Sequence, residues 1–242
     1  MLIVIPARYK SSRFPGKPLA DIAGKSLIRR VWERCLQAAS AEDVLVATDD
    51  DRIREHCDRH GMRVRMTGDC LTGTDRTWKA VEALGIEDVV NVQGDEPLIS
   101  PDDIRAVVRA YESDPCAVYC GMCEIVDEAD FRSPTVVKIM TAPDGRLLYA
   151  SRAPIPTDKR HGYAGAMKQV SIYAFSRKHL AAFANHGKKT PLEAIEDIEI
   201  LRFLELGFPV RMVRVTQSSI AVDHPEDVAR VVEHLRLSCP DS

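Results

Sequence analysis

Residues 5–19 read Ile5-Pro6-Ala7-Arg8-Tyr9-Lys10-Ser11-Ser12-Arg13-Phe14-Pro15-Gly16-Lys17-Pro18-Leu19. The apolar run from Met1 to Ile5 has the length of a short buried strand, and Pro6 ends it. An irregular loop follows that carries Arg8, Lys10, Arg13 and Lys17 and closes at Pro15-Gly16. Four cations on one loop repel one another unless something negative lies among them. At the carboxyl end of the first strand of an α/β sheet, the usual negative group is a phosphate chain. A solvated basic loop is the plainer alternative. The rigid Pro and Gly frame and the position after the first strand favour triphosphate binding.

Working outward, strand-like and helix-like segments alternate. Ser26 to about Ala39 places Leu27, Ile28, Val31, Trp32 and Cys35 on one helical face. A strand over Val44–Ala47 precedes a helix over Arg52–His60 that Asp50 or Asp51 starts. A short strand over Arg63–Met66 and a loop over Thr67–Thr74 lead to a helix from about Asp75 to Leu84. A strand over Asp88–Val92 then runs to a helix opened by Ser100-Pro101-Asp102-Asp103. This repetition predicts an α/β fold of three layers, a mostly parallel central sheet with helices on both faces.

The second half is less regular. Strands are expected over Thr135–Met140 and Arg146–Ala150, joined by a turn at Ala142-Pro143-Asp144-Gly145, and again over Gln169–Phe175 and Val210–Val215. Leu192–Leu206 reads as one amphipathic helix stopped by Gly207, and Pro225–Leu237 as a closing helix. The Pro- and Gly-rich middle, about 141 to 168, reads as a lid or interface excursion. No composition break divides residues 1–242, so a single domain is expected.

Charge and composition narrow the function. The formal net charge of −3 gives no general basic coat for nucleic acid or an anionic membrane, so the basic loop is a local feature. No apolar run has membrane-spanning length, and Met1–Ile5 is too short for a signal-peptide core. Seven cysteines without a disulfide-framework spacing fit reduced thiols in the cytoplasm. Cys116, Cys120 and Cys123 have the spacing of an iron–sulfur ligand set, yet their segment is apolar and strand-like. Period 2 puts Cys116 and Cys120 on one face and Cys123 on the other.

Candidate chemistry gathers after the strand Val89–Val92, at Gln93-Gly94-Asp95-Glu96-Pro97. Gly94 lets backbone approach a ligand, and Asp95 falls at the same sheet edge as the basic loop, where a magnesium ion bridging phosphates belongs. Magnesium needs one or two protein carboxylates, and Asp223 is the candidate second. Taken alone, Asp223 would instead be an N-cap for the helix at Pro225. Trp32 and Trp78 read as core residues, the histidines show no zinc spacing, and Lys188-Lys189 reads as a surface turn, with help in binding an anionic substrate as the alternative.

Four motifs in order complete the pattern: the quoted loop, Gly73-Thr74-Asp75-Arg76, Asn91 to Pro97, and Val222-Asp223-x-Pro225-Glu226-Asp227. Together they resemble the 3-deoxy-manno-octulosonate cytidylyltransferases (CMP-Kdo synthetases), relatives of the CMP-sialate synthetases, nearly end to end. The resemblance implies a Rossmann-like nucleotidyltransferase fold and a homodimer. It also implies transfer of CMP from CTP to a 2-keto-3-deoxy sugar acid with Mg2+. It assigns Ala7, Arg8, Arg13, Lys17, Thr74, Asp75, Arg76 and Gln93 to the nucleotide, and Asp95 and Asp223 to the metal. Arg8, Lys17, Asp95 and Asp223 form its catalytic set. Gln93, Arg152, Gln169, Tyr173, Glu196 and Glu199 fall to the sugar side, with Arg152 a partner for the sugar carboxylate.

The sugar side departs from the family pattern: His gives way to Gln169, Gly to Ser171 and Gln to Ile200. Either the enzyme uses a modified acid, such as 8-amino-Kdo or a nonulosonate, or these changes are drift that still accepts Kdo. A Rossmann oxidoreductase would need Gly-x-Gly-x-x-Gly after the first strand, which is absent. A non-catalytic nucleotide-binding module would not need the paired carboxylates.

Overall fold

The computed structural model describes residues 1–11, 13–216 and 220–238, so Ser12 of the basic loop and Cys239 lie outside the described residues. The first half alternates as expected: β1 (Leu2–Ala7), α1 (Leu27–Leu36), β4 (Val44–Thr48), α2 (Asp51–Arg59), β5 (Val64–Met66), α3 (Gly73–Val81), β6 (Asp88–Val92) and α4 (Pro101–Ser113). Between β1 and α1 sits a small ribbon of β2 (Asp21–Ile22) and β3 (Lys25–Ser26). The second half holds β7 (Val118–Ile125), α5 (Glu128–Arg132), β8 (Lys138–Thr141), β9 (Leu147–Ser151), β10 (Ala166–Ser176) and α6 (Arg177–Asn185). It ends with α7 (Pro191–Glu196), α8 (Ile200–Glu205), β11 (Val210–Arg214) and α9 (Pro225–Ser238).

Among the described residues one large sheet runs in the order β11-β7-β10-β6-β1-β4-β5, extended by β8 against β10 and β9 against β8. Strands β5, β4, β1 and β6 are parallel, β10 enters antiparallel between β6 and β7, and β11 runs parallel to β7. The alternation of side chains along β1 builds both layers. Leu2 and Val4 pack with Ala80 and Val81 of α3, Phe183 of α6 and Phe203 of α8. Ile3 and Ile5 pack with Val31 of α1, Ile53 of α2 and Val107 of α4. Strands covered on both faces have no polar side to show, which is why they read as unbroken apolar runs.

Cys120 and Cys123 fall in opposite core layers, as period 2 requires, and Cys116 precedes the strand on the surface. Trp32 and Trp78 pack against the two layers. Two expected elements differ. The helix over 192–206 is broken into α7 and α8, with Asp197 between them in the left-handed region at φ 53°. Periodicity carries both halves, but the break is set by distant partners: the carboxylates on either side of it hold Arg152 and the start of α3. Helix α3 begins at Gly73 and not Asp75, because the Thr72 side chain caps the Asp75 N–H.

The parallel strands end at one edge, and two glycines shape that edge. Gly16 closes the basic loop at φ 74° and donates its N–H to the Tyr9 carbonyl. Gly94 follows β6, where a Cβ would stand 2.7 Å from the Pro6 carbonyl oxygen at the end of β1. A side chain there must push the two strand ends apart. Gly94→Ala is therefore expected to cost about 1–3 kcal/mol, the usual scale of overpacking, and to lower turnover by displacing Asp95. Thermal unfolding and a rate assay check both; an unchanged Tm with unchanged rate would show that the contact relaxes freely.

Candidate active site

Above this edge lies a cleft of about 970 Å³. Its floor is Pro6, Ala7 and Arg8 from the end of β1 and Gln93 to Glu96 from the end of β6. One rim is the basic loop, with Arg13 and Lys17. The other is the segment 220–227, fastened where the Val222 N–H donates to the Asp95 carbonyl at 2.8 Å. That single backbone bond sets Asp223 beside Asp95, although 128 positions separate them by number.

The charges on the two rims meet. Lys17 Nζ donates to Asp95 Oδ2 at 2.8 Å and stands 3.6 Å from Asp223 Oδ1, while Arg13 donates to the same Asp223 oxygen at 2.8 Å. Asp223 is thus not the N-cap of α9. Instead the Asp227 carboxylate folds back to accept the N–H groups of Asp223 and His224, which frees the Asp223 side chain to face the cleft. One ammonium touching two carboxylates shows that both face a common point, the arrangement a divalent cation with two protein ligands requires. Asp95 and Asp223 therefore have the placement to hold a divalent cation. Arg8 is exposed on the cleft floor; Asp197 is held below its usual range chiefly by the Lys189 ammonium bonded to it, with smaller contributions from Arg152 and then Arg8.

The opposite end of the cleft is built on β10. Gln169 Nε2 donates to the Tyr173 hydroxyl at 2.9 Å, and burial holds the Tyr173 phenol well above its ordinary value. Between these residues β10 slips its register against β7, and the freed Ser171 N–H donates to Glu96 Oε1. Arg152 spreads over three carbonyls: Glu196 O at 2.6 Å, Pro134 O at 2.9 Å and Asp197 O at 3.0 Å. Glu199 accepts the Gly73 and Thr74 N–H groups at 3.0 and 2.8 Å; burial nonetheless raises its carboxyl above the usual range.

A family model for cytidylyltransferases matches residues 2–219. The chain belongs to the cytidylyltransferase family. It is 43% identical to the 3-deoxy-manno-octulosonate cytidylyltransferase of Syntrophotalea carbinolica, over 96% of this chain and 97% of that one. It is 42% identical to the 8-amino-3,8-dideoxy-manno-octulosonate cytidylyltransferase of Shewanella halifaxensis, over 93% and 94%. A solved CMP:2-keto-3-deoxy-manno-octonic acid synthetase complexed with CTP superposes with a TM-score of 0.90 at 36% identity, covering 98% of both chains. A 4-diphosphocytidyl-2C-methyl-D-erythritol synthase from Anaerococcus prevotii shares the fold at TM-score 0.65 and 15% identity, over 97% of this chain and 98% of that one.

In this cytidylyltransferase most of the expected site residues line the one cleft: Ala7, Arg8, Arg13, Lys17, Arg76, Gln93, Asp95, Arg152, Gln169, Tyr173, Glu199 and Asp223. Three do not. Thr74 is wholly buried within α3. Asp75 turns inward to Arg202, whose Nη1 donates to it at 3.0 Å. Glu196 spends its carboxylate on the Ser151 hydroxyl and the Arg152 N–H, holding that wall of the cleft from behind. Arg76 lines the cleft but is locked to Asp49 at 2.8 Å.

The departures from the family pattern divide as well. Gln169 and Ser171 face the cleft, whereas Ile200 is fully buried in the core layer of α3 and α6. Of the excursion over 141–168, Arg152 and Lys168 reach the cleft lining. The wall on that side is Ser133 to Val137, where sequence reasoning expected a strand from Thr135; the strand begins only at Lys138, and the turns before it carry no motif. Lys189 also lines the cleft; its pairing with Asp197 depends on the break between α7 and α8, which periodicity conceals.

Proposed function

We propose that the chain transfers CMP from CTP to the anomeric hydroxyl of a 2-keto-3-deoxy sugar acid, releasing pyrophosphate. The observation that carries this is the Lys17 ammonium shared by Asp95 and Asp223, with Arg13 on the same carboxylate and Arg8 on the same floor. Arg8, Arg13 and Lys17 hold the triphosphate, exchanging their contacts with the protein's carboxylates for contacts with phosphate oxygens. Asp95 and Asp223 hold magnesium, which when bound neutralises phosphate charge and lowers the pKa of the attacking hydroxyl. As the hydroxyl attacks the α-phosphorus, charge grows on the phosphate oxygens and the leaving pyrophosphate, and Lys17 and Arg13 are already placed to meet it. Gln93, at the end of β6, stands between the nucleotide and sugar ends of the cleft.

The first choice of acceptor is 3-deoxy-manno-octulosonate. Its 8-amino analogue is the second reading, favoured by Gln169 and Ser171 in the acceptor wall and by a relative of that name at 42% identity. The product would serve cell-surface lipopolysaccharide synthesis. Residues 1–242 form one catalytic domain that works as a homodimer in the cytoplasm; no helix among the described residues is long and apolar enough to cross a membrane.

Pyrophosphate release with CTP and magnesium, offered Kdo, 8-amino-8-deoxy-Kdo and N-acetylneuraminate side by side, tests the proposal. Release with Kdo is the expected result. Release with only the amino acceptor would place selectivity at Gln169 and Ser171. CTP binding without release on any acid would point instead to a non-catalytic nucleotide-binding module.

A further inference from the structure

Lys138, at the start of β8, is fully buried. Its ammonium donates to three carbonyl oxygens, Ser133 at 2.7 Å, Val136 at 2.7 Å and Arg152 at 2.6 Å. Three donors meet three acceptors, and none of these acceptors is a carboxylate. Burial pulls the ammonium below its ordinary value and Arg152 adds to this, while Glu196 and Asp130 oppose it from a distance. A buried cation paired only with neutral oxygens is an expensive way to fill space, and an apolar side chain of that length would do so at less cost.

What the three carbonyls belong to explains the arrangement. Ser133 is the C-cap of α5, and Ser133, Val136 and Arg152 all line the acceptor end of the cleft. The Arg152 guanidinium ties the same turn a second time, through Pro134, to the break between α7 and α8. The backbone over 133–137 is tied to the sheet by one bond, from the Gln169 N–H to Val137 O; its other backbone bonds are local, from the Ser133 N–H to Ala129 O and from the Val136 N–H to Ser133 O. Beyond these turn bonds, its carbonyls are gathered by the side-chain donors Lys138 and Arg152.

We infer that Lys138 is a positioning residue for the acceptor, a built-in cation that gathers three carbonyls as a bound monovalent ion would and so fixes the Ser133–Val137 wall and Arg152. It touches neither substrate. This rests on the proposed transfer to a sugar acid, and it predicts a particular kind of failure. Lys138→Ala would leave a carbonyl-lined hole sized for a small amine. The wall would loosen while the triphosphate end, built on β1 and β6, kept its geometry.

The test is steady-state kinetics of Lys138→Ala with the acid the wild type accepts. KM for that acid is expected to rise at least about tenfold with KM for CTP within about twofold, a split that general unfolding would not produce. Methylammonium or ammonium chloride is expected to restore much of the loss, whereas tetramethylammonium, equal in charge but without N–H donors, is not. Equal rises in both KM values, or no rescue by either small amine, would overturn the inference. Hydrogen exchange of the ligand-free protein gives a readout independent of activity: faster exchange at the Gln169 N–H and within 133–137, reversed by methylammonium, supports the role even if no acid is turned over. Unchanged exchange there counts against it. Should Lys138→Ala be insoluble, Lys138→Met keeps the stem packed and is measured the same way; insolubility of both, unrelieved by ammonium, would assign Lys138 to folding alone and overturn the inference.

Discussion

Asp95→Asn is expected to lower kcat by a factor on the order of 10² to 10³, the scale seen when one group is removed from the stabilisation of a charged transition state. The substitution keeps the shape of the side chain and an oxygen able to accept from Lys17, so folding should hardly notice. Asp95 is partly exposed and its pair with Lys17 lies at the cleft surface, where such pairs contribute no more than about 1 kcal/mol. The expected signature is a large kinetic loss with a Tm close to that of the parent. Asp223→Asn should behave alike, and the two losses should fall short of additive if, as proposed, the residues serve one ion. Rates within about threefold of wild type in both variants would remove magnesium from the proposed site.

The largest effect on stability is expected far from the chemistry, at Arg202. This guanidinium is completely buried. It donates to both oxygens of Glu193 at 2.6 Å, to Asp75 at 3.0 Å and to the Phe183 carbonyl at 3.1 Å. It joins α8 to α7 and to the first turn of α3, whose N–H groups Glu199 caps. Arg202→Leu would leave two carboxylates in the interior without their counter-ion, and breaking a buried pair in this way costs about 3–5 kcal/mol. For a chain of this size that is a fall in Tm on the order of 10 °C, measurable by calorimetry. Arg202→Lys, which restores charge but not the fork, should fall between the two. A shift of only about 2 °C in Arg202→Leu would mean that Asp75 and Glu193 find other partners.

These two residues also mark what could and could not be read along the chain. Asp95 announces itself locally: an apolar strand, a glycine and then an acid form a signal within six residues. The same holds for β1 and β4, whose two-sided burial makes them almost continuous apolar runs, and for β6 apart from the buried Asn91 within it. Strand β10 was legible from Gln169 to Phe175; Ala166 to Lys168 are partly exposed and fall in the Pro- and Gly-rich stretch that read as an excursion. Arg202 has no local signal at all. Its partner Asp75 is 127 positions away, and in sequence Asp75 shares a motif with cleft residues. Resemblance placed Asp75 with the nucleotide; the helix start at Gly73 turns it to the interior instead. Likewise the split of α7 from α8 cannot be seen in a periodicity that both halves obey. It becomes intelligible once Glu196 is found behind Arg152 and Glu199 at the head of α3.

The pairing of Lys17 and Arg13 with Asp95 and Asp223 has a thermodynamic consequence for how the cleft fills. A divalent ion arriving alone would have to sit among ammonium and guanidinium groups deprived of their partners. A triphosphate arriving alone would face two carboxylates stripped of theirs. When both arrive, every charge finds an opposite, so each should raise the affinity for the other by the same factor. On the proposed assignment the empty cleft would be its own weak competitor, a coincidence detector that takes the metal–nucleotide complex more tightly than either part of it arriving separately.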